Sequence, residues 1–192
     1  MNDKKDDHAP RIMRSEEVFK GRVFNVTRDE VEEEPGSVFV RETVTHAGSA
    51  CILPLFDDGT VALVRQYRHP ARDYLLDIPA GSRNAGEAPE VCAQRELEEE
   101  VGVVARKLML ISEFYPSPGF LAEKMWVYLA TELQQTAQRL EADERVEIVR
   151  VPIHRALMMI ESGDIQDAKT IIALLTVSCQ NVDNSADSKS QI

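Results

Sequence analysis

Cysteine is scarce in this 192-residue sequence, positive charge is outnumbered, and long apolar runs are missing. Its three cysteines, Cys51, Cys92 and Cys179, are odd in number, widely separated and without metal-ligand spacing, which argues against a disulfide framework or a zinc cluster. They read as reduced thiols, and no adjacent base marks any of them as a nucleophile. Lys and Arg total 22 against 33 Asp and Glu, for a net charge of -11 and a pI near 4.9. Phosphate-backbone binding needs a basic surface, so nucleic acid is not expected as a partner. No apolar stretch approaches the roughly 18 residues that span a bilayer, and the charged N-terminus has no hydrophobic signal core. The expectation is a cytoplasmic protein with no membrane partner.

At 43% hydrophobic and 29% charged, the composition is that of a globular chain long enough to bury a substantial core. Residues 1–14 read as a polar, disordered tail, and residues 180–192 as another. Between 15 and 46, two β-prone runs, Arg22 to Val31 and Ser37 to His46, flank a Glu-Glu-Glu-Pro-Gly turn, which predicts an N-terminal β-hairpin segment. Residues 47–179 read as the main domain. Its first strands, Ala50 to Phe56 and Thr60 to Tyr67, meet at Asp57-Asp58-Gly59, a hairpin signal. Further strands are expected at Tyr74 to Ala80, Lys107 to Tyr115, Lys124 to Thr131 and Val146 to Val151. Two amphipathic helices, about Ile153 to Glu161 and Ala168 to Ser178, complete a mixed α/β pattern.

The densest chemistry lies between Gly81 and Val103. From Glu87 to Val101 the only breaker is Pro89, which a first helical turn tolerates, and Gly102 stands where a helix would stop. A helix of about four turns follows, with Glu96, Glu99 and Glu100 on one arc and Ala93, Leu97 and Val101 on the adjoining one. Each like-charged pair at this spacing costs about 0.2–0.5 kcal/mol, a penalty that a hard divalent cation removes. A solvated acidic face is the plainer alternative.

The wider pattern decides between them. With U for a bulky aliphatic residue, the stretch fits G-x5-E-x7-R-E-U-x-E-E-x-G-U at Gly81, Glu87, Arg95, Glu96, Leu97, Glu99, Glu100, Gly102 and Val103. This chain therefore resembles the Nudix hydrolases. The resemblance implies an α/β/α sandwich with a mixed sheet, and hydrolysis of a nucleoside diphosphate linked to a second group. It also implies a Mg²⁺ site, with Mn²⁺ as an alternative, on Glu96, Glu99, Glu100 and the Ala80 carbonyl. Arg95 would orient a glutamate and Glu87 would support the site.

Tyr115-Pro116-Ser117-Pro118-Gly119, with Pro118 sixteen residues past Gly102, is similar to the ADP-ribose pyrophosphatase branch of that family. A plain Pro-Gly turn is the competing reading. The branch resemblance implies substrate contacts from Arg41, Arg68, Glu123 and Gly119. It also implies a catalytic glutamate in the acidic stretch Leu140 to Val149, LEADERVEIV, with Glu144 the first candidate and Glu141 and Glu147 its rivals. GDP-mannose or another nucleotide sugar is the rival substrate, and a non-catalytic ligand sensor is the rival class. The branch further implies a homodimer whose N-terminal segments exchange, bringing Arg41 to the partner's site. His46, His69 and His154 lack a second histidine at ligand spacing and read as surface or edge residues. Trp126 and Tyr128 read as packing residues, while Phe24 is a weaker candidate for stacking on a base.

Overall fold

The computed structural model describes residues 9–140 and 145–187. These form two compact units. One comprises the described residues up to Ala47 together with Tyr115–Lys124; the other comprises Gly48–Phe114 and the described residues from Met125 onward.

The N-terminal unit is an antiparallel sheet in the order β1 (Arg11–Lys20), β2 (Asn25–Glu34), β3 (Ser37–Thr45). The β2–β3 turn contains Gly36 at φ 83°, a conformation that glycine adopts without strain. Strand β1 was not expected: every one of its residues is exposed, so no apolar alternation announces it, and Arg11–Arg14 lie in it rather than in a tail. Ion pairs hold it to β2, with Arg11 2.9 Å from Glu32 and Arg14 3.6 Å from Glu30. The Tyr115–Lys124 segment clips onto β3, the Val44 N–H donating to Phe120 O at 2.8 Å and the Ala122 N–H to Val44 O at 2.9 Å. Val31 is the one buried apolar residue described in this unit.

The second unit holds two sheets, β10 (Val146–Pro152), β5 (Thr60–Arg68), β6 (Asp73–Asp77) and β7 (Ala80–Ser82), β4 (Ser49–Pro54), β9 (Met125–Gln135), β8 (Val103–Phe114), in those spatial orders. Strands β4 and β9 run parallel and the other ladders are antiparallel, so the arrangement is mixed. All six residues of β4 are buried. Ala50 and Ile52 join a cluster with Cys92 and Ala93 of the first helix and Leu97 of the turn that continues it. Cys51 and Leu53 join another with Ala156 of α2 (Ile153–Glu161) and Ala173 and Leu174 of α3 (Ala168–Asp187). Strand alternation thus sends successive residues into opposite helix layers, which makes the α/β/α sandwich. Burying each of Ile52, Leu53 and Leu63 contributes at most about 1.5–3 kcal/mol.

Three sequence expectations need correction. Strands β4 and β5 do not form a hairpin ladder, although Asp58 Oδ1 accepts the Thr60 N–H at 3.0 Å in the turn between them. Both edges of β4 are taken by β7 and β9, and only a Leu55–Val61 bridge joins it to β5. The four-turn helix is instead α1 (Pro89–Glu96) followed by a π-helical turn, Leu97–Val101. The last helix, α3, runs to Asp187, beyond the expected end near Ser178. No helix of the described residues is long and apolar enough to cross a membrane.

Gly102 ends the π turn at φ 71°, and the segment after β9 closes it. Gln138 Nε2 donates to Glu100 O at 2.7 Å, and the Arg139 N–H donates to Glu99 O at 3.0 Å. The Thr136 N–H donates to Gly102 O at 2.7 Å. These bonds satisfy carbonyls that a helix end leaves without partners. A Cβ on Gly102 would lie 2.8 Å from the Gln138 backbone nitrogen. Gly102→Ala is therefore expected to lower unfolding stability by about 2 kcal/mol through left-handed strain plus this clash. A denaturant midpoint equal to wild type would contradict that account.

Candidate active site

Arg95, in the last turn of α1, ties the acidic cluster together. Its Nε donates to Glu87 Oε1 at 3.0 Å and its Nη2 to Glu87 Oε2 at 3.2 Å. Its Nη1 donates to Glu96 Oε1 at 2.6 Å and to Glu99 Oε2 at 3.0 Å, and Nη2 also reaches Ser82 O at 3.3 Å. The bond to Glu87 raises the arginine's pKa further above its already high value. Reciprocally, that bond and the Asn84 N–H hold the Glu87 carboxyl below its usual range. Arg83 closes the intervening loop by donating Nε to Glu87 O at 2.8 Å.

Glu96 and Glu100 are buried, and Glu99 is half-buried. The Ala80 N–H donates to Glu100 Oε2 at 3.2 Å, which sets the end of the π turn against β7. Gly81 backs directly onto the Glu96 carboxylate: a Cβ there would lie 1.8 Å from Oε1. Only glycine permits that approach. Beneath them, Cys92 Sγ lies 3.6 Å from Gly81 O, and burial pushes its thiol up to about 11, so it is a neutral packing group.

Three carboxylates, Glu87, Glu96 and Glu99, thus share the Arg95 guanidinium, and Glu100 follows them on the same helical segment. Burying negative charge in excess of its counter-charge is costly, and a bound divalent cation offsets it. Among the described residues no three acidic, histidine or cysteine side chains converge as a ready-made cage. Mg²⁺ takes hard oxygen ligands such as these glutamates and completes its shell with water and phosphate oxygens. The residues present fit such an ion.

The remaining expected site residues divide between the units. Arg68 lies in the same unit as the box and is bound to Asp77, its Nε donating to Oδ2 at 2.6 Å. Arg41, Gly119 and Glu123 belong to the N-terminal unit. Arg41 pairs with Glu33 and stacks on Phe39, 5.2 Å from the ring centre. Glu123 lies 3.4 Å from His46 Nδ1. His46 directly follows the edge strand β3, and its side chain is only 9% exposed. Gly119 sits in a turn in which the Leu121 N–H donates to Ser117 O at 3.0 Å. Glu144 and Glu141 lie outside the described residues, while Glu147 is exposed, 3.7 Å from Arg65. Trp126 and Tyr128 pack on the α1 layer, and Phe24 is exposed beside Phe19. Two features escaped the sequence reading: the buried Asp77–Lys169 pair and the closing bond from Gln138. The lone acid inside Leu-Leu-Asp-Ile-Pro was the available signal for the first.

Because the Glu87 carboxyl is held below its ordinary value of 4.5, its contribution is fully present above that pH and fades as pH falls through the folded-state value. Glu87→Gln should cost about 1–2 kcal/mol at pH 7 and progressively less below pH 4.5. Denaturant titrations across that range check it; a pH-independent difference would point to packing instead.

A NUDIX domain model matches residues 45–174. The chain is 41% identical over 161 residues to an ADP-ribose pyrophosphatase of Bacillus subtilis (strain 168), covering 83% of this chain and 87% of that protein. It is 35% identical over 146 residues to a GDP-mannose pyrophosphatase of Yersinia pestis (strain Pestoides F), covering 70% and 73% respectively. Among solved structures, the crystal structure of an ADP compounds hydrolase aligns with a TM-score of 0.79 at 26% identity, over 91% of this chain and 95% of that one. The matched span contains every residue of the Arg95-centred cluster and most of the chain, which belongs to the Nudix hydrolase family.

Proposed function

We propose that this Nudix hydrolase is a cytoplasmic, Mg²⁺-dependent pyrophosphohydrolase that cleaves ADP-ribose, or a related ADP-sugar, to AMP and ribose 5-phosphate. Mn²⁺ would serve in place of Mg²⁺. The observation that carries the chemistry is the pair of buried carboxylates, Glu96 and Glu100, the first held by Arg95 and the second by the Ala80 N–H of β7. The substrate is taken from the 41%-identical relative, whose name specifies ADP-ribose.

In this reading Glu96, Glu99, Glu100 and the Ala80 carbonyl hold the cation. When bound, Mg²⁺ supplies charge neutralisation on the diphosphate and acidifies a water. Arg95 fixes the glutamates, so that little reorganisation is needed during the reaction. Water adds to one phosphorus, its proton passes to Glu144 or a box glutamate, and the bridging P–O bond breaks. Arg41, Arg68, Glu123 and Gly119 contact the substrate. A GDP-mannose reading keeps the same chemistry and is favoured by the 35%-identical relative. The intact glutamates weigh against a ligand sensor.

The protein is further proposed to act as a homodimer. Ile12, Phe19, Val38, Phe39 and Val40 of the N-terminal sheet are all exposed, while Val31 alone is buried among the described apolar residues of that unit. A three-stranded sheet without a core is marginal by itself, and apolar exposure on this scale marks an interaction surface.

Three measurements test these proposals. Hydrolysis of ADP-ribose, GDP-mannose, diadenosine polyphosphates, NADH and 8-oxo-dGTP should be fastest for ADP-ribose and abolished by EDTA; preference for another compound would replace the substrate and keep the box chemistry. Glu100→Gln should fold normally and lose well over tenfold in kcat, and near-normal turnover would remove its ligand role. If Arg41 serves the partner's site, mixing and re-pairing Arg41→Ala and Glu100→Gln protomers should restore about a quarter of wild-type activity. A mixture as inactive as its parents, or an active monomer by light scattering, would reject the exchange.

A further inference from the structure

Asp77 is a fully buried carboxylate at the end of β6 that the box chemistry does not use. From β5, Arg68 donates Nε and Nη2 to its Oδ2, and Gln66 Nε2 donates to the same oxygen at 3.3 Å. From α3, Lys169 Nζ stands 3.4 Å from Oδ2 and 2.7 Å from Asp167 Oδ1. The next N–H, that of Ile78, donates to Thr170 Oγ1 at 2.8 Å, so both sides of the carboxylate are pinned to α3. Oδ1, in contrast, accepts no hydrogen bond from any of the described residues. Buried acceptors are almost always satisfied, and an exception retained in a fold calls for a reason.

The reason offered by the geometry lies in how Arg68 is held. A guanidinium is planar, with donors along two edges. Asp77 takes the Nε and Nη2 edge, which leaves Nη1 out of that ion pair, and the side chain is 36% exposed. An arginine fixed along one edge presents the other in a set orientation, the form suited to phosphate oxygens. It also has less rotamer freedom left to lose when a ligand arrives.

We infer that Asp77 is a positioning residue: it locks Arg68 by one edge of the guanidinium so that the Nη1 edge is presented, pre-ordered, to the diphosphate of the substrate. This rests on the reading of Arg68 as a substrate contact. Lys169, neutralised by Asp167, supports the buried carboxylate and takes no part in binding.

Steady-state kinetics of the full chain with Mg²⁺, on whichever compound of the panel is turned over fastest, tests it. Asp77→Asn should raise KM about tenfold and leave kcat within about twofold. Arg68→Ala should raise KM at least as much, and the double variant should be no worse than Arg68→Ala alone. Lys169→Met should lower the melting temperature and leave KM unchanged, which separates positioning from stability. A folded Asp77→Asn with normal KM, beside a raised KM for Arg68→Ala, overturns the positioning role alone. Additive effects in the double variant also overturn it, since Asp77 would then act elsewhere. An Arg68→Ala with normal KM overturns both the role and the substrate contact beneath it. Should Asp77→Asn not fold, Arg68→Lys decides: lysine keeps the charge without a second edge, so a KM near wild type overturns the proposal.

Discussion

Two carboxylates that the fold buries, Glu96 and Glu100, set the terms for everything around them. Removing a carboxylate from water costs several kcal/mol even after relaxation, so each must be met by donors or by opposite charge. Arg95 meets Glu96, Glu99 and Glu87 together because one planar guanidinium offers separate N–H groups in fixed directions. A lysine ammonium at the same place would offer a point charge without that division. The box arginine is therefore chosen by geometry as much as by charge. The π turn, the Gly81 approach and the closing bonds from Gln138 and Arg139 all hold these acids in place.

The overall acidity of the chain is compatible with an anionic substrate when its cations are held individually. At -11 the molecule as a whole repels a diphosphate. A cation drawn to the box acids would reverse the local sign, and a half-exposed arginine with its own buried counter-ion offers donors without depending on the net field. Both devices act at contact distance, where screening by salt is weakest.

Much of this was legible in the residues. The box spacing identified the cluster, Pro89 and Gly102 bounded its helical segment, and the runs on either side of Asp57-Asp58-Gly59 announced two strands. What stayed hidden has physical causes. Strand β1 is exposed along its whole length, so its Arg-Ser-Glu-Glu stretch carries no burial pattern. The Asp57-Asp58-Gly59 turn has the same local chemistry whether or not its flanking strands pair; competition from β7 and β9 for the edges of β4 decides that. A five-residue π turn is invisible to a helical period. Lys169 reaches Asp77 from an element far along the chain, and no local signal joins them.

The six residues from Asp77 to Ser82 show why these pieces form one device. Asp77 holds Arg68 and meets Lys169; the Ile78 N–H bonds to Thr170; the Pro79 carbonyl accepts the Ile52 N–H at 2.9 Å. Then the Ala80 N–H meets Glu100, Gly81 makes room for Glu96, and the Ser82 carbonyl accepts from Arg95. The residues of this short run are held in succession, Asp77 and Ile78 to α3, Pro79 to the buried strand β4, and Ala80 to Ser82 beside the box helical segment. The span between Arg68's anchor and the acidic cluster is therefore fixed by covalent geometry, with no loop in between to absorb error. In the proposed reading, where Arg68 meets the diphosphate, the arginine and the box carboxylates are set by the same stretch of backbone, as chemistry that depends on positioning requires.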